Sequence, residues 1–150
     1  MIEKGTWTGS YRFSDPKINK IRGFEQTNFV IQIREVDGES FSGTVEDDLS
    51  TGGMEGVGEI HGKVIGDRIE FVKQMPRMTL LVDKNGTRKT QNKKHRLLYY
   101  SGQFSADKKE IKGAWKFKPG FIWYGIIPIP VGSTKGTWTM DLKEEPVKFE

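Results

Sequence analysis

A chain of 150 residues without cysteine excludes disulfides, thiolate metal sites and cysteine nucleophiles, and it is long enough to bury a core as one domain over 1–150. Eleven per cent aromatic residues and 18 glycines, set in alternating patterns, point to an all-β domain and away from a disordered chain. The net charge of +4 is local: residues 83–96 (DKNGTRKTQNKKHR) hold six Lys or Arg against one Asp, and the remainder, with 18 basic and 19 acidic residues, is close to neutral.

The first predicted strand, 6–13, sets Trp7, Gly9, Tyr11 and Phe13 on one face and Thr6, Thr8, Ser10 and Arg12 on the other. Residues 14–26 form a loop through Asp15-Pro16, with room for a short helical turn at Ile18 and Ile21. Residues 27–47 read as a hairpin. Phe29, Ile31 and Ile33 alternate with Val30, Gln32 and Arg34, Asp37-Gly38 turns the chain, and Phe41, Gly43 and Val45 continue the inward phase. A glycine-rich loop over 49–56 leads to strand four, with Gly58, Ile60, Gly62 and Val64 inward. Gly66-Asp67 makes a tight turn into strand five, 68–74, where Ile69 and Phe71 point inward and Pro76, which cannot donate to a ladder, ends the run. Residues 78–82 can extend as a strand, with Asn85-Gly86 turning it into a basic arm. Strand six, 96–105, sets Leu98, Tyr100, Gly102 and Phe104 inward, and a turn at 106–109 leads to strand seven, with Ile111, Gly113, Trp115 and Phe117. A long apolar loop, 118–133, contains Pro119, Pro128 and Pro130. Strand eight carries Gly136, Trp138, Met140 and Leu142, and 143–150 is a polar tail.

Eight half-buried antiparallel strands at this spacing suit an up-and-down barrel or a sandwich. The recurrence of apolar-x-Gly-x-apolar, at Trp7-Gly9-Tyr11, Phe41-Gly43-Val45, Ile60-Gly62-Val64, Tyr100-Gly102-Phe104 and Ile111-Gly113-Trp115, favours the barrel. Glycine alternating with bulk lets strands coil and lets neighbouring aromatics cross above it. The expected fold is therefore an all-β, eight-stranded antiparallel up-and-down β-barrel.

The connections sort by length. Links 2–3, 4–5 and 6–7 are short turns, whereas 14–26, 48–56, 75–95 and 118–133 are long and gather at one rim, where barrels most often bind ligands. The inward phase reaches that rim at Phe13, Phe29, Asp47, Lys73 and Phe117, above Tyr11, Tyr100, Trp115 and Trp138. These nine residues are the candidate ligand-binding set: apolar walls with one or two polar anchors for a small apolar or amphipathic molecule. Two plainer readings stand beside it. Asp47 and Lys73 can be strand-end charges reaching solvent, and the interior can be packed solid by aromatics.

Several of these residues resemble the avidin and streptavidin branch of the calycin barrels. Gly5-Thr6-Trp7 is similar to that family's opening Gly-x-Trp strand, and the 27–47 hairpin resembles its next two strands through Ser42-Gly43-Thr44. Tyr99-Tyr100-Ser101-Gly102-Gln103-Phe104 resembles its aromatic-Ser-Gly-Gln-aromatic strand, and Trp115 falls where the following strand places a tryptophan. The family's Asn that binds the ureido oxygen of biotin is matched by Gly9, and its Tyr and Ser after Gly-Thr by Val45 and Asp47. Among the matched biotin contacts only Trp115 is kept, so the resemblance implies a similar barrel and mouth without biotin binding. Lipocalins and fatty-acid-binding proteins share the architecture, and their apolar ligands suit this mouth.

Other chemistry finds little support. His61 lies on an outward strand face and His95 in the basic arm, without HxH or HExxH spacing, so no metal and no cofactor is expected. Asp47-Asp48 lacks the spacing of a calcium loop, and no GxSxG supports a serine nucleophile, so an enzyme is not expected. The basic segment lacks interleaved aromatics until Tyr99 and Tyr100 and reads as a solvated arm, with no nucleic acid expected. The run 121–131 (FIWYGIIPIPV) is too short to span a bilayer. It reads as a lid across the mouth or, exposed, as a partner surface. Outward Val72, Leu97 and Tyr99 leave room for a homo-oligomer. With no apolar leader at the N-terminus and no cysteine, the expected location is cytoplasmic. Two functions follow: a non-enzymatic small-molecule binding barrel, or an interaction scaffold with a filled barrel that uses the apolar 119–133 loop or the basic 83–96 arm.

Overall fold

The computed structural model describes residues 1–76, 78–81, 88–91, 97–117, 120–124, 126–131 and 134–143, with 78–81, 88–91, 120–124 and 127–131 described as backbone. The expected Asn85-Gly86 turn, His95, Pro119 and most of the polar tail lie outside these residues.

Eight of the strands close into a barrel: β1 (Gly5–Phe13), β2 (Thr27–Asp37), β3 (Ser40–Asp47), β4 (Val57–Ile65), β5 (Arg68–Gln74), β8 (Leu98–Phe104), β9 (Glu110–Phe117) and β12 (Lys135–Lys143). Every neighbouring pair is antiparallel, and β1 closes the ring by pairing with both β2 and β12. No strand in the ring keeps an unpaired edge. The remaining strands form two separate hairpins: β6 (Met78–Leu81) with β7 (Arg88–Gln91), and β10 (Gly120–Tyr124) with β11 (Ile127–Val131).

The inward phase runs as the alternation requires. Trp7, Ile31, Val45, Ile60, Ile69, Phe71, Ile111 and Met140 are buried in one continuous core. Glycine is required where rings cross the wall. A Cβ on Gly62 would lie 2.7 Å from Phe41 Cζ and 2.5 Å from Phe71 Cβ. Two further core residues carry no alternation signal, because they lie outside the strands: Ile2, ahead of β1, and Met75, just after β5.

Two expectations need correction, and β2 carries an irregularity that the alternation does not show. The β2–β3 turn is Gly38-Glu39, one residue later than the Asp-Gly pair suggests, because Asp37 itself pairs with Ser40. Gly38 at φ 59° ahead of a negative-φ Glu39 gives the II′ arrangement, which matches strand twist as well as an Asp-Gly I′ turn would. A bulge between Ile33 and Glu35 then adds a residue, which keeps Glu35 exposed and packs Val36 against the core. Finally, the apolar 118–133 segment contains a hairpin and is not simply a loop. Pro128 and Pro130 share one parity of β11, opposite Trp123 and Phe121, so neither has to donate toward β10 and both deny donors to a further strand.

The four long links all leave the barrel at one end, which we call the loop end, and the tight turns close the other. At the loop end the β1–β2 link folds into a short helix, α1 (Pro16–Arg22). Asp15 caps it by accepting from Lys17 N–H, and Gly23 ends it in the left-handed region at φ 82°. No residue of α1 is fully buried, so it sits lightly over the rim. The β3–β4 link begins with a 3-10 turn, Leu49–Thr51, capped by Asp48.

Candidate functional site inside the loop end

Asp47 closes β3 on the inward phase, opposite Phe29, and Lys73 lies near the end of β5. Both expectations that treated them as solvent-reaching strand ends fail. Their side chains are 0% and 2% exposed, and Lys73 Nζ donates to Asp47 Oδ1 at 2.8 Å. The carboxylate also accepts from the Tyr11 hydroxyl at 3.1 Å and from Met54 N–H at 3.2 Å. Gly53 makes the last bond reachable, since a Cβ there would lie 2.4 Å from Asp47 Cβ. The ammonium group faces three rings, 4.9 Å from the centre of Tyr11 and 5.9 Å from those of Phe29 and Tyr100. Cation–π attraction and the charge-assisted bond together offset the cost of burying an ammonium.

Arg22, at the end of α1, completes the rim. Its guanidinium donates to Thr27 Oγ1 at 2.5 Å and to the Gly52 carbonyl at 3.1 Å, and it lies 4.7 Å over the Phe13 ring and 5.9 Å over Tyr11. One side chain thus ties helix, 48–56 loop and barrel wall together. Asn19 adds a second tie by accepting from Phe13 N–H and donating to Phe13 O.

Below and beside this cluster runs a chain of rings. Trp115 meets Tyr11, Phe13 and Phe117 edge-on at 5.9, 4.9 and 5.9 Å. Deeper in the barrel Tyr100 stacks on Phe71 at 4.7 Å, with Trp138 edge-on to both at 5.4 Å. Trp115 donates its N–H to the Thr137 carbonyl, and Trp138 donates to the Ser101 and Ala114 carbonyls. Each indole has committed its polar edge to the wall and presents only ring faces to the interior. Seven of the nine candidate residues therefore share one neighbourhood at or just below the rim. Tyr100 links that neighbourhood, through Lys73, to the packed floor to which Trp138 belongs.

Burial dominates the acid–base character of the two tyrosines. Desolvation, followed by the Asp47 charge, holds Tyr11 far above the ordinary phenol range, and desolvation with the Tyr11 and Asp47 charges does the same for Tyr100. Both are neutral hydroxyl groups at any physiological pH. The cluster therefore offers a buried Asp47–Lys73 pair, a neutral phenol donor and aromatic walls.

Arg22, Thr27 and the Met54 amide are the members that sequence reasoning misses. A basic residue in the last turn of a helix set in a rim loop is a usable signal for Arg22, but nothing in the alternation marks which rings it covers. Among the described residues no three His, Asp or Glu side chains gather as a metal site, and no helix is long and apolar enough to cross a membrane.

Fold and cluster define the class: a closed, eight-stranded, antiparallel up-and-down barrel, consistent with a calycin-like fold, with a buried polar cluster inside its loop end. Comparison with protein-family models, curated proteins and solved structures found no match to this chain.

Proposed function

We propose that the protein is a non-enzymatic binding barrel that takes a small apolar or amphipathic molecule at its loop end, between α1, the 48–56 loop and the ring chain of Tyr11, Phe13, Trp115 and Phe117. The observation that carries this reading is the buried Asp47–Lys73 pair with the Tyr11 hydroxyl, set among aromatic rings at the rim. A few fixed polar groups convergent on an apolar wall are what orient a small ligand in a pocket. A buried ion pair is, by contrast, a poor way to gain stability, since apolar side chains of similar volume commonly serve as well or better. α1 has no fully buried residue and is held to the rim through Arg22 and Asn19, so admitting the ligand means opening these two ties. The likeness to the avidin branch supports the same end of the barrel as the mouth, while Gly9, Val45 and Asp47 argue against biotin as the occupant. The absence of cysteine suits a cytoplasmic location.

The test is fluorescence titration with N-phenyl-1-naphthylamine, an uncharged apolar dye. One saturable site is expected, and Phe13→Asp, a change at a half-buried rim position, should weaken it about tenfold or more with unchanged circular dichroism. A second reading rests on the hairpins β6–β7 and β10–β11, which stand outside the barrel sheet and can serve a scaffold that engages a macromolecule. In that reading the interior is simply filled and the dye finds no saturable site, so the same titration decides between them.

A further inference from the structure

The outer wall carries a groove of about 850 Å³ running across β4, β5, β8, β9 and β12. Strand register lines up its central row: His61 opposite Val72, Val72 opposite Tyr99, Tyr99 opposite Lys116 and Lys116 opposite Lys135. The middle of that row, Val72 and Tyr99, is half-buried and apolar, and Ala114 lines the groove alongside. Its β12 end carries Lys116 and Lys135, while Lys63 and Arg68, with the carboxylate of Glu70, lie on β4 and β5 at the other end; the described lining as a whole has a net of three positive charges. That carboxylate sits 4.0 Å from Arg68, with both side chains largely exposed.

The pairing of Lys116 with Lys135 calls for an explanation. Like charges directly opposite each other on antiparallel strands repel and destabilise the sheet. The ion pairs formed by the neighbouring outward residues lie elsewhere: Lys112 pairs with Glu110 and Arg68 with Glu70. An anionic group seated between the two ammonium groups would turn the repulsion into a bidentate contact. At ~4.8 Å per strand, Val72 lies two spacings, ~10 Å, from Lys116. An alkyl or aryl body attached to that anion would therefore cover Tyr99 and Val72.

We propose that this outer groove is a second ligand site, distinct from the loop end, that takes a small anionic amphipath: an acid head between Lys116 and Lys135, and an apolar body along Tyr99 and Val72. The volume falls in the range of small-molecule sites. An uncharged ligand gains nothing from the lysine pair, and a bare anion gains nothing from the apolar strip.

Decanoate is the probe, followed by backbone amide shifts in ¹⁵N-labelled protein. The expected result is saturating shifts at Val72, Tyr99 and Lys116, with affinity falling about tenfold or more in Lys116→Glu/Lys135→Glu and persisting in Phe13→Asp. Both lysines are exposed, so the charge-reversed protein should fold as the parent does, which its unperturbed far shifts would confirm. Equal affinity in the double variant, absence of saturating shifts on these strands, or loss of binding in Phe13→Asp would each overturn the proposal. Because the loop-end reading is tested with an uncharged dye, either site can fail without the other.

Discussion

The Asp47 carboxylate depends on three donors from three different parts of the chain, and Lys73 supplies its only full charge among them. Lys73→Met would leave a buried carboxylate without its counter-ion, so urea unfolding should show a loss of about 3–5 kcal/mol. Asp47→Leu combined with Lys73→Met should regain most of that loss, because the pair is then replaced by apolar volume. A single-variant loss below ~1 kcal/mol would mean that the pair is solvated after all. Alkali tests the same cluster from another side. Tyr11 and Tyr100 have folded-state pKa values above their unfolded value of about 10, so their contribution is complete below that pH. Above it the unfolded chain loses protons that the folded chain keeps, and stability falls by ~1.4 kcal/mol per pH unit for each tyrosine. Between roughly pH 10 and 11 the slope should therefore shrink by about half in Tyr11→Phe. An unchanged slope would contradict the burial of its hydroxyl. At this scale the sequence was readable in part. Inward phase marks Asp47 and Lys73 as interior, yet nothing in a one-dimensional pattern states that a residue of β3 and one of β5 end 2.8 Å apart. That distance is set by barrel tilt and closure.

Strand elements were the most legible, because period-two alternation reports directly on which face meets the core. β5 and the Gly66-Asp67 turn fall where the pattern places them. The hairpin turn at Gly38-Glu39 slips by one because Asp-Gly and Gly-Glu satisfy different two-residue turns, and the strand register chooses between them. Hairpin β10–β11 is hidden for another reason: its prolines read as breakers, and their tolerance in an edge strand depends on a partner that the local pattern does not reveal. Glycine positions give the sharpest element-scale prediction. Gly62→Ala would push a methyl group against the Glu70 carbonyl and the Phe41 and Phe71 side chains, where overpacking costs typically ~1–3 kcal/mol. Thermal melts should show this destabilisation. A neutral outcome would indicate that β4 and β5 can part without losing register.

For the whole molecule, link lengths carried more information than any motif. Three tight turns and four long links in an antiparallel ring fix which end is laced shut, and the helix, the 3-10 turn and the polar cluster all gather at the other. Closure itself was legible only as a preference, since alternation and glycine spacing also suit a sandwich, and it is the β1–β12 ladder that decides. The outer groove was hardly legible at all. Val72 and Tyr99 stand out as outward apolar residues, but the facing of Lys116 with Lys135 arises from the register of β9 on β12, eighteen residues of chain apart at the nearest. Whether the loop end receives a small molecule can be read by mapping backbone amide shifts during titration with uncharged 1-decanol. Saturating shifts are expected to cluster at Tyr11, Phe29, Asp47, Met54 and Lys73. Saturation with shifts confined to the outer wall or the turn end, or no saturating shift at all, would contradict it.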